Sequence, residues 1–282
     1  MRTRDLLQLI RVHNTVGSAI SDVMGFAVAS HWSFKPFPLV VSALVVALVA
    51  AGGYVINDYY DVEIDRINKP YRPLPSGRVK LSTARNLAVI LFVAGVALSF
   101  FLNWLAVLVA ILASLALWEY ARRLKRYGIP GNLIVATFSA LSAFYGGIAY
   151  FSGNWVYYAS IPTIYIFFFT LAREFVKGVE DYEGDRANNV RTLAVIGGVR
   201  KAWIVSKAIL LALLITSPLP FFLAGFNSAY LVGISALDVI LVLTLLLPHD
   251  IKSAEKARAW LKVYALGTIL AFLLGSSPFI RP

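Results

Sequence analysis

The sequence predicts an all-α polytopic membrane protein, with about nine transmembrane helices and a parallel internal repeat around a central chamber. Three observations predict it. Apolar runs of roughly 18 to 25 residues, long enough to cross a hydrocarbon core of about 30 Å, recur from end to end of the 282 residues. Of the 26 Lys and Arg, 24 fall in alternate connections, all on one side of those runs. The stretch "NDYYDVEIDRIN" (57–68) is echoed 120 residues later by "KGVEDYEGDRAN" (177–188).

The runs lie at 12–30, 37–57, 82–102, 104–121, 132–151, 155–177, 201–223, 228–247 and 259–279. They form one transmembrane domain over 1–282. The first run has no small-residue cleavage site after it, so no removable signal peptide is expected. Runs three and four join almost without a loop. "AAGG" at 50–53 offers a close-packing surface on the second run, or room for a ligand's tail. Hydrophobic residues make up 59% of the chain and the mean hydropathy is +0.73, above the roughly one-half apolar content of a soluble domain.

Nine runs put the termini on opposite sides. The positive-inside rule then places the N-terminus and the long loops in the cytoplasm of a multi-pass cell-membrane protein. Only Lys35 and Arg281 fall on the other side, where "LNWL" and "FSGNW" are short, uncharged and anchored by Trp104 and Trp155. A net charge of +11 would suggest nucleic acid in a soluble protein. Here it is a topology signal, and no nucleic-acid partner is expected, nor an obligate protein partner. With no cysteine there are no disulfides and no thiolate metal sites.

None of the 15 acidic residues lies in a connection on the far side. In the repeated stretch Asp61 aligns with Asp181, Asp65 with Asp185, Arg66 with Arg186 and Asn68 with Asn188. Each copy ends an even-numbered run, four runs apart, so the copies share one orientation. On a helix, i, i+4 and i+8 share a face. Asn57, Asp61 and Asp65 form one column, and Arg173, Lys177, Asp181 and Asp185 the other. Asp58 and Glu180 turn about 100° away. Two carboxylate columns without His or Cys suit a hard cation such as Mg2+, which shares its shell with phosphate oxygens. Arg66, Lys69, Arg72, Arg78, Lys125, Arg173, Lys177 and Arg186 supply the cations of a diphosphate site. No EF-hand, HExxH, Gly-rich phosphate loop or serine-nucleophile pattern is present, and His13, His31 and His249 have no ligand spacing.

At these residues the chain resembles the UbiA family of intramembrane prenyltransferases. "NDYYDVEID" and the loop "RPLPSG" (72–77) match its first motif, and "DYEGD" (181–185) its second. Tyr120 and Lys125 in "WEYARRLKRYGIPGN" are similar to a third element. "RVHN" (11–14) is similar to the opening that ends in Asn14, with Val12 where proline is common. The resemblance covers the whole chain. It implies a nine-helix bundle with a cytosolic polar cap over a lipid-accessible chamber, and an isoprenyl diphosphate bound through two Mg2+ ions. It implies Asn57, Asp61, Asp65, Asp181 and Asp185 as catalytic metal ligands. Arg66, Arg72, Lys125, Lys177, Tyr120 and Asn14 are the implied substrate-binding residues.

The expected chemistry is magnesium-dependent departure of the diphosphate from an allylic carbon, stabilised by cations. Aromatic faces, among Tyr54, Tyr59, Tyr60, Tyr145, Tyr150 and Phe167 to Phe169, are available to the developing carbocation. The compact chain is similar to the archaeal ether-lipid branch of the family, whose lipid acceptor is geranylgeranylglyceryl phosphate. Arg11, Lys69, Arg78, Arg122, Arg123 and Arg126 are candidates for the acceptor phosphate, and Asp58 or Glu180 for a general base. An aromatic-acid or quinone-precursor acceptor is the alternative. A transporter is a further one, although no acidic residue reaches the far side to make a through-path, and a scaffold would leave the paired motifs unexplained. Asp22 and Asp238, inside apolar runs, are either functional or interhelical hydrogen-bond acceptors.

Overall fold

The structure, a computed structural model, describes residues 2–33, 35–188 and 190–279, without the side chain of Arg126. Arg281 and that Arg126 side chain therefore lie outside the described residues. The described chain is helical throughout: α1 Thr3–Leu9, α2 Val12–Ser30, α3 Pro36–Tyr60, α4 Val62–Asn68, α5 Leu81–Ser99, α6 Trp104–Arg122, a 3-10 turn Leu124–Tyr127, α7 Ile129–Tyr150, α8 Trp155–Glu180, α9 Tyr182–Ala187, α10 Leu193–Gly197, α11 Val199–Thr216, α12 Leu219–Ala224, α13 Ser228–Leu246 and α14 Ile251–Gly275.

Among the described residues, seven helices are long and apolar enough to cross a membrane: α3, α5, α6, α7, α8, α13 and α14. The first and seventh predicted runs are occupied by α2 and α11, which carry more polar groups. In α2 these are His13, Asn14 and Asp22, and in α11 Arg200, Lys201 and Lys207. Packing offsets that polarity for α2, which lies against α3, α7 and α8, with Asp22 fully buried. The seventh run, expected over 201–223, is interrupted at Ser217 and Pro218; a proline has no amide to continue the ladder.

Two hydrophobic cores stabilise the bundle. One joins α8, α11, α13 and α14 through residues such as Val176, Trp203, Leu210, Ile234, Leu261 and Phe272. The other joins α3, α5 and α6 through Val45, Val55, Phe92 and Ala110. Helices α2 and α7 run between them and pack unusually close. A Cβ on Gly25 would sit 1.8 Å from the Ala143 carbonyl oxygen, and one on Gly146 would sit 2.1 Å from that of Asp22. Small residues permit this approach where hydrocarbon solvent gives helices no hydrophobic drive to associate. The outer faces carry bare apolar side chains such as Val93, Leu115, Val232 and Leu246. In water such a surface would associate; in lipid it is the solvated face. The chain is a multi-pass membrane protein.

"AAGG" divides between two surfaces. A Cβ on Gly52 would meet the Phe92 ring at 2.9 Å, so this glycine seats α3 on α5. Ala50 and Gly53 instead line a central chamber.

Candidate active site

The chamber, about 980 Å³, lies between the two cores. That is the upper end of the about 300–1,000 Å³ usual for small-molecule sites. Its depth is apolar, with Val45, Val49, Ala113, Phe138, Phe169 and Phe272 in the wall. Its mouth is polar: Arg11, Asn14, Asn57, Tyr120, Arg173 and Lys177 face it there. The ends of α3, α6 and α8 and the starts of α2 and α14 meet at this mouth.

Both aspartate motifs sit where a long helix breaks into a short one. Tyr60 ends α3 and Val62 starts α4, leaving Asp61 between them at φ −91° and ψ 0°. Glu180 ends α8 and Tyr182 starts α9, leaving Asp181 at φ −83° and ψ 6°. This is the sparsely populated bridge region that active-site residues often occupy. The breaks cost little hydrogen bonding. Asp61 N–H still bonds the Asn57 carbonyl (3.0 Å) and Asp65 N–H the Asp61 carbonyl (2.8 Å), and the second motif repeats this through Lys177, Asp181 and Asp185 at 2.9 and 2.8 Å. The single straight columns expected from i, i+4, i+8 spacing therefore bend at their central aspartates.

The first motif is held by cations. Asp61 accepts from Lys125 Nζ on one oxygen (2.5 Å) and from Asn57 Nδ2 on the other (3.0 Å). Arg72, from the "RPLPSG" loop, donates to Asp65 (2.6 Å) and to Asp58 (3.3 Å). Asp58 also takes Arg11 at 2.5 Å. Asp58 and Asp65 are buried. Burying a carboxylate is costly unless it is paired and hydrogen-bonded, and these pairs supply that. Asp58 is seven residues before Asp65, two helical turns, so both reach one guanidinium despite the break.

The second motif is more open. Glu174 lies 3.7 Å from both Arg173 and Lys177, and Glu180 lies 2.8 Å from Arg258 on α14. Burial and the neighbouring Asp181 charge push Asp185 up to about 6. Burial, then the Arg72 charge, lowers the ammonium of Lys69. Among the described residues no three His, Asp or Glu side chains converge tightly enough to cage a metal.

A model of the UbiA prenyltransferase family matches residues 19–273. The chain belongs to the UbiA prenyltransferase family. It is an enzyme of prenyl transfer, which displaces the transporter and scaffold readings. Its relatives include the digeranylgeranylglyceryl phosphate synthase of Sulfurisphaera tokodaii, 57% identical over 99% of this chain and 100% of that one. The synthase of the same name from Methanocaldococcus jannaschii is 35% identical over 98% and 97%. Among solved structures, one of a digeranylgeranylglyceryl phosphate synthase in membranes superimposes with a TM-score of 0.83 at 33% identity, covering 97% of this chain and 98% of that one. A UbiA homologue from Archaeoglobus fulgidus, bound to DMAPP and Mg2+, shares the fold with a TM-score of 0.67 at 18% identity, over 94% and 99%.

Seen in this family member, the residues singled out in the sequence separate into groups. Asn57, Asn14, Tyr120 and Lys177 line the chamber. Asp61 pairs with Lys125 and Asp65 with Arg72, and none of these four is in the chamber lining. Arg66 is exposed and pairs with Glu63 at 2.9 Å on the outer face of α4. Of the acceptor-phosphate candidates, Arg78 is tied to Asp5, Gln8 and the Tyr71 carbonyl, clamping α1 onto the loop. Arg122 and Arg123 pair with Glu119 on the surface. Tyr54, Tyr145 and Phe169 face the chamber, while Arg11 already lies 5.3 Å over the Tyr54 ring. Both candidate bases, Asp58 and Glu180, are engaged by guanidinium groups. The intramembrane carboxylates take interhelical hydrogen bonds: Asp22 from Ser42 (2.7 Å), and Asp238 from Ser217 (2.6 Å) and Tyr264 (3.4 Å). Sequence reasoning missed Arg258 and Lys262 of α14 at the chamber. The only trace of them in the sequence is their i, i+4 spacing at the start of the last run.

Proposed function

We propose that this enzyme transfers a geranylgeranyl group from its diphosphate to the free hydroxyl of geranylgeranylglyceryl phosphate, on the cytoplasmic side of the membrane. The observation that carries the reading is a chamber with a cationic mouth by the aspartate motifs and an apolar depth. It is a shape for a charged head and hydrocarbon tails. Relatives at 57%, 50% and 35% identity over nearly their whole length bear the name digeranylgeranylglyceryl phosphate synthase. Nine spans, with α2 and α11 counted, and the lopsided Lys and Arg support the orientation. The matched breaks at Asp61 and Asp181 support a parallel repeat.

The donor set fits Mg2+. Asn57, Asp61, Asp65, Asp181 and Asp185 offer only oxygen ligands of the hard kind. The absence of a closed carboxylate cage among the described residues agrees with an ion that keeps waters and shares substrate phosphates. Bound there, two Mg2+ ions would neutralise charge developing on the leaving diphosphate. The protein's own part is positional. Asn57 steadies the Asp61 carboxylate. Lys125 and Arg72 pair with Asp61 and Asp65, and are the cations placed to turn to diphosphate oxygens. Lys177 serves the same end from the second motif. The allylic C–O bond breaks with its electron pair leaving on the diphosphate. The acceptor oxygen forms the new ether bond, and the departing diphosphate takes the hydroxyl proton. The chamber walls exclude water that would capture the cation.

Purified protein in detergent, given geranylgeranyl diphosphate, Mg2+ and either geranylgeranylglyceryl phosphate or 4-hydroxybenzoate, tests this. The expected result is an ether product with the first acceptor and its loss with EDTA. Product with the aromatic acid alone would overturn the acceptor.

A further inference from the structure

The mouth of the chamber holds more positive charge than a metal–diphosphate needs. Its lining includes five cations, Arg11, Arg173, Lys177, Arg258 and Lys262, against one carboxylate, Glu174. Nearby carboxylates account for most of them. Arg11 is matched by Asp58, Arg173 and Lys177 share Glu174, and Arg258 touches Glu180. Lys262 has no ion pair within 4 Å among the described residues. A diphosphate arriving with divalent ions is itself nearly neutral or cationic, so it does not consume this surplus.

We infer that Arg258 and Lys262, in the first half of α14, form the site for the phosphate group of the acceptor, separate from the diphosphate site. Four residues apart, they share one helix face. Arg258 Nε lies 2.8 Å from Glu180 Oε2 as an ion pair without hydrogen-bond geometry, so Oε2 is buried unsatisfied and Arg258 makes no hydrogen bond among the described residues. A guanidinium that is placed by an ion pair but has spent no hydrogen bond keeps its N–H donors for an oxyanion, the planar recognition at which arginine excels. Glu180 adjoins Asp181 in the chain, so Arg258 is fixed beside the second motif. The acceptor's chemistry requires this proximity: its phosphate sits on the carbon next to the reacting hydroxyl, so its cations must lie close to the departing diphosphate. Of the cations weighed from sequence alone, Arg11 lines the chamber but is already matched by Asp58. Arg78, Arg122 and Arg123 are spent on other partners and do not line the chamber.

This inference rests on the phosphate-bearing acceptor proposed above, and the test separates the two. Lys262→Ala, Arg258→Gln and Arg258→Lys are compared with the parent in steady-state kinetics and in equilibrium binding of geranylgeranylglyceryl phosphate without diphosphate. Losing a hydrogen bond to a charged group predicts an acceptor KM raised about tenfold or more in Lys262→Ala and Arg258→Gln, with the geranylgeranyl diphosphate KM unchanged. Arg258→Lys is expected to recover part of the loss. The unphosphorylated acceptor geranylgeranylglycerol is expected to react equally poorly with parent and variants. An unchanged acceptor KM would overturn the site while leaving the reaction standing. A rise confined to the diphosphate KM would also overturn it, assigning both residues to the donor. If the parent alkylates neither acceptor yet the variants lose acceptor binding, the site stands and the proposed reaction falls.

Discussion

Replacing Asp58 separates a positioning role from a chemical one. Its carboxylate is 4% exposed and joins Arg11 to Arg72, which in turn holds Asp65. Asp58→Asn keeps the shape but removes the charge from two guanidinium contacts, of which the Arg11 one is short. A hydrogen bond to a charged group contributes about 1.5–3 kcal/mol, and the longer Arg72 contact adds little, so a loss of about 2 kcal/mol is expected. Asp58→Ala also strands the Arg11 guanidinium. Breaking a buried pair from one side costs about 3–5 kcal/mol, and with the Arg11 side chain 28% exposed the lower end applies. The assay is unfolding of the detergent-solubilised protein, with kinetics on the folded fraction. We expect lower stability, a raised diphosphate KM and an unchanged shape of the pH–rate profile. Asp58→Leu combined with Arg11→Leu should regain much of the stability, because the stranded charge goes too. Full stability in Asp58→Ala with a collapsed kcat and a lost acidic limb of the profile would refute the argument and make Asp58 the base.

Three further outcomes follow from the same geometry. Lys125→Met removes the cation 2.5 Å from Asp61; kcat should fall about a hundredfold or more, the usual loss for one preorganised electrostatic group, and diphosphate-release assays will read it. Asp185, at about 6 in the metal-free protein, is raised from the ordinary 3.8, so its ionisation opposes folding: its contribution to stability falls as pH rises from about 4 to about 6 and stays low above. Mg2+ binding must then release a proton below pH 6, visible by calorimetry in buffers of different ionisation enthalpy and absent in Asp185→Asn. Gly25→Ala would press a methyl into the Ala143 carbonyl at 1.8 Å, so α2 and α7 must part, at a cost of about 1–3 kcal/mol or more; thermal unfolding in detergent checks it.

The helices and the motifs were legible because each depends on local pattern. An apolar run of about 20 residues has few alternatives in a membrane, and a carboxylate column at a run's end can be located by counting. Partnerships were not legible in this way. Arg78 and Arg72 stand six residues apart in one loop and look alike in sequence, yet Arg72 holds Asp65 while Arg78 reaches back to Asp5 on α1. The choice is made by how α1 docks on the loop, which is tertiary. Arg66 follows the motif directly and still faces outward, since the break at Asp61 re-aims every side chain after it. No glycine or proline marks that break; Gly184 lies beyond the corresponding one at Asp181.

The two aspartate motifs differ in how far the protein's own cations serve them. Asp58, Asp61 and Asp65 lie within reach of three cations, Arg11 just before α2, Arg72 in the loop after α4 and Lys125 in the turn after α6. The first motif is thereby neutralised by the protein itself. The second motif, with Asp185 raised towards 6 and Asp181 exposed, is not. The two halves thus differ in what they lack: the second wants cations, and the mouth around α14 wants an anion. A metal-bearing diphosphate together with a phosphate-bearing acceptor supplies both.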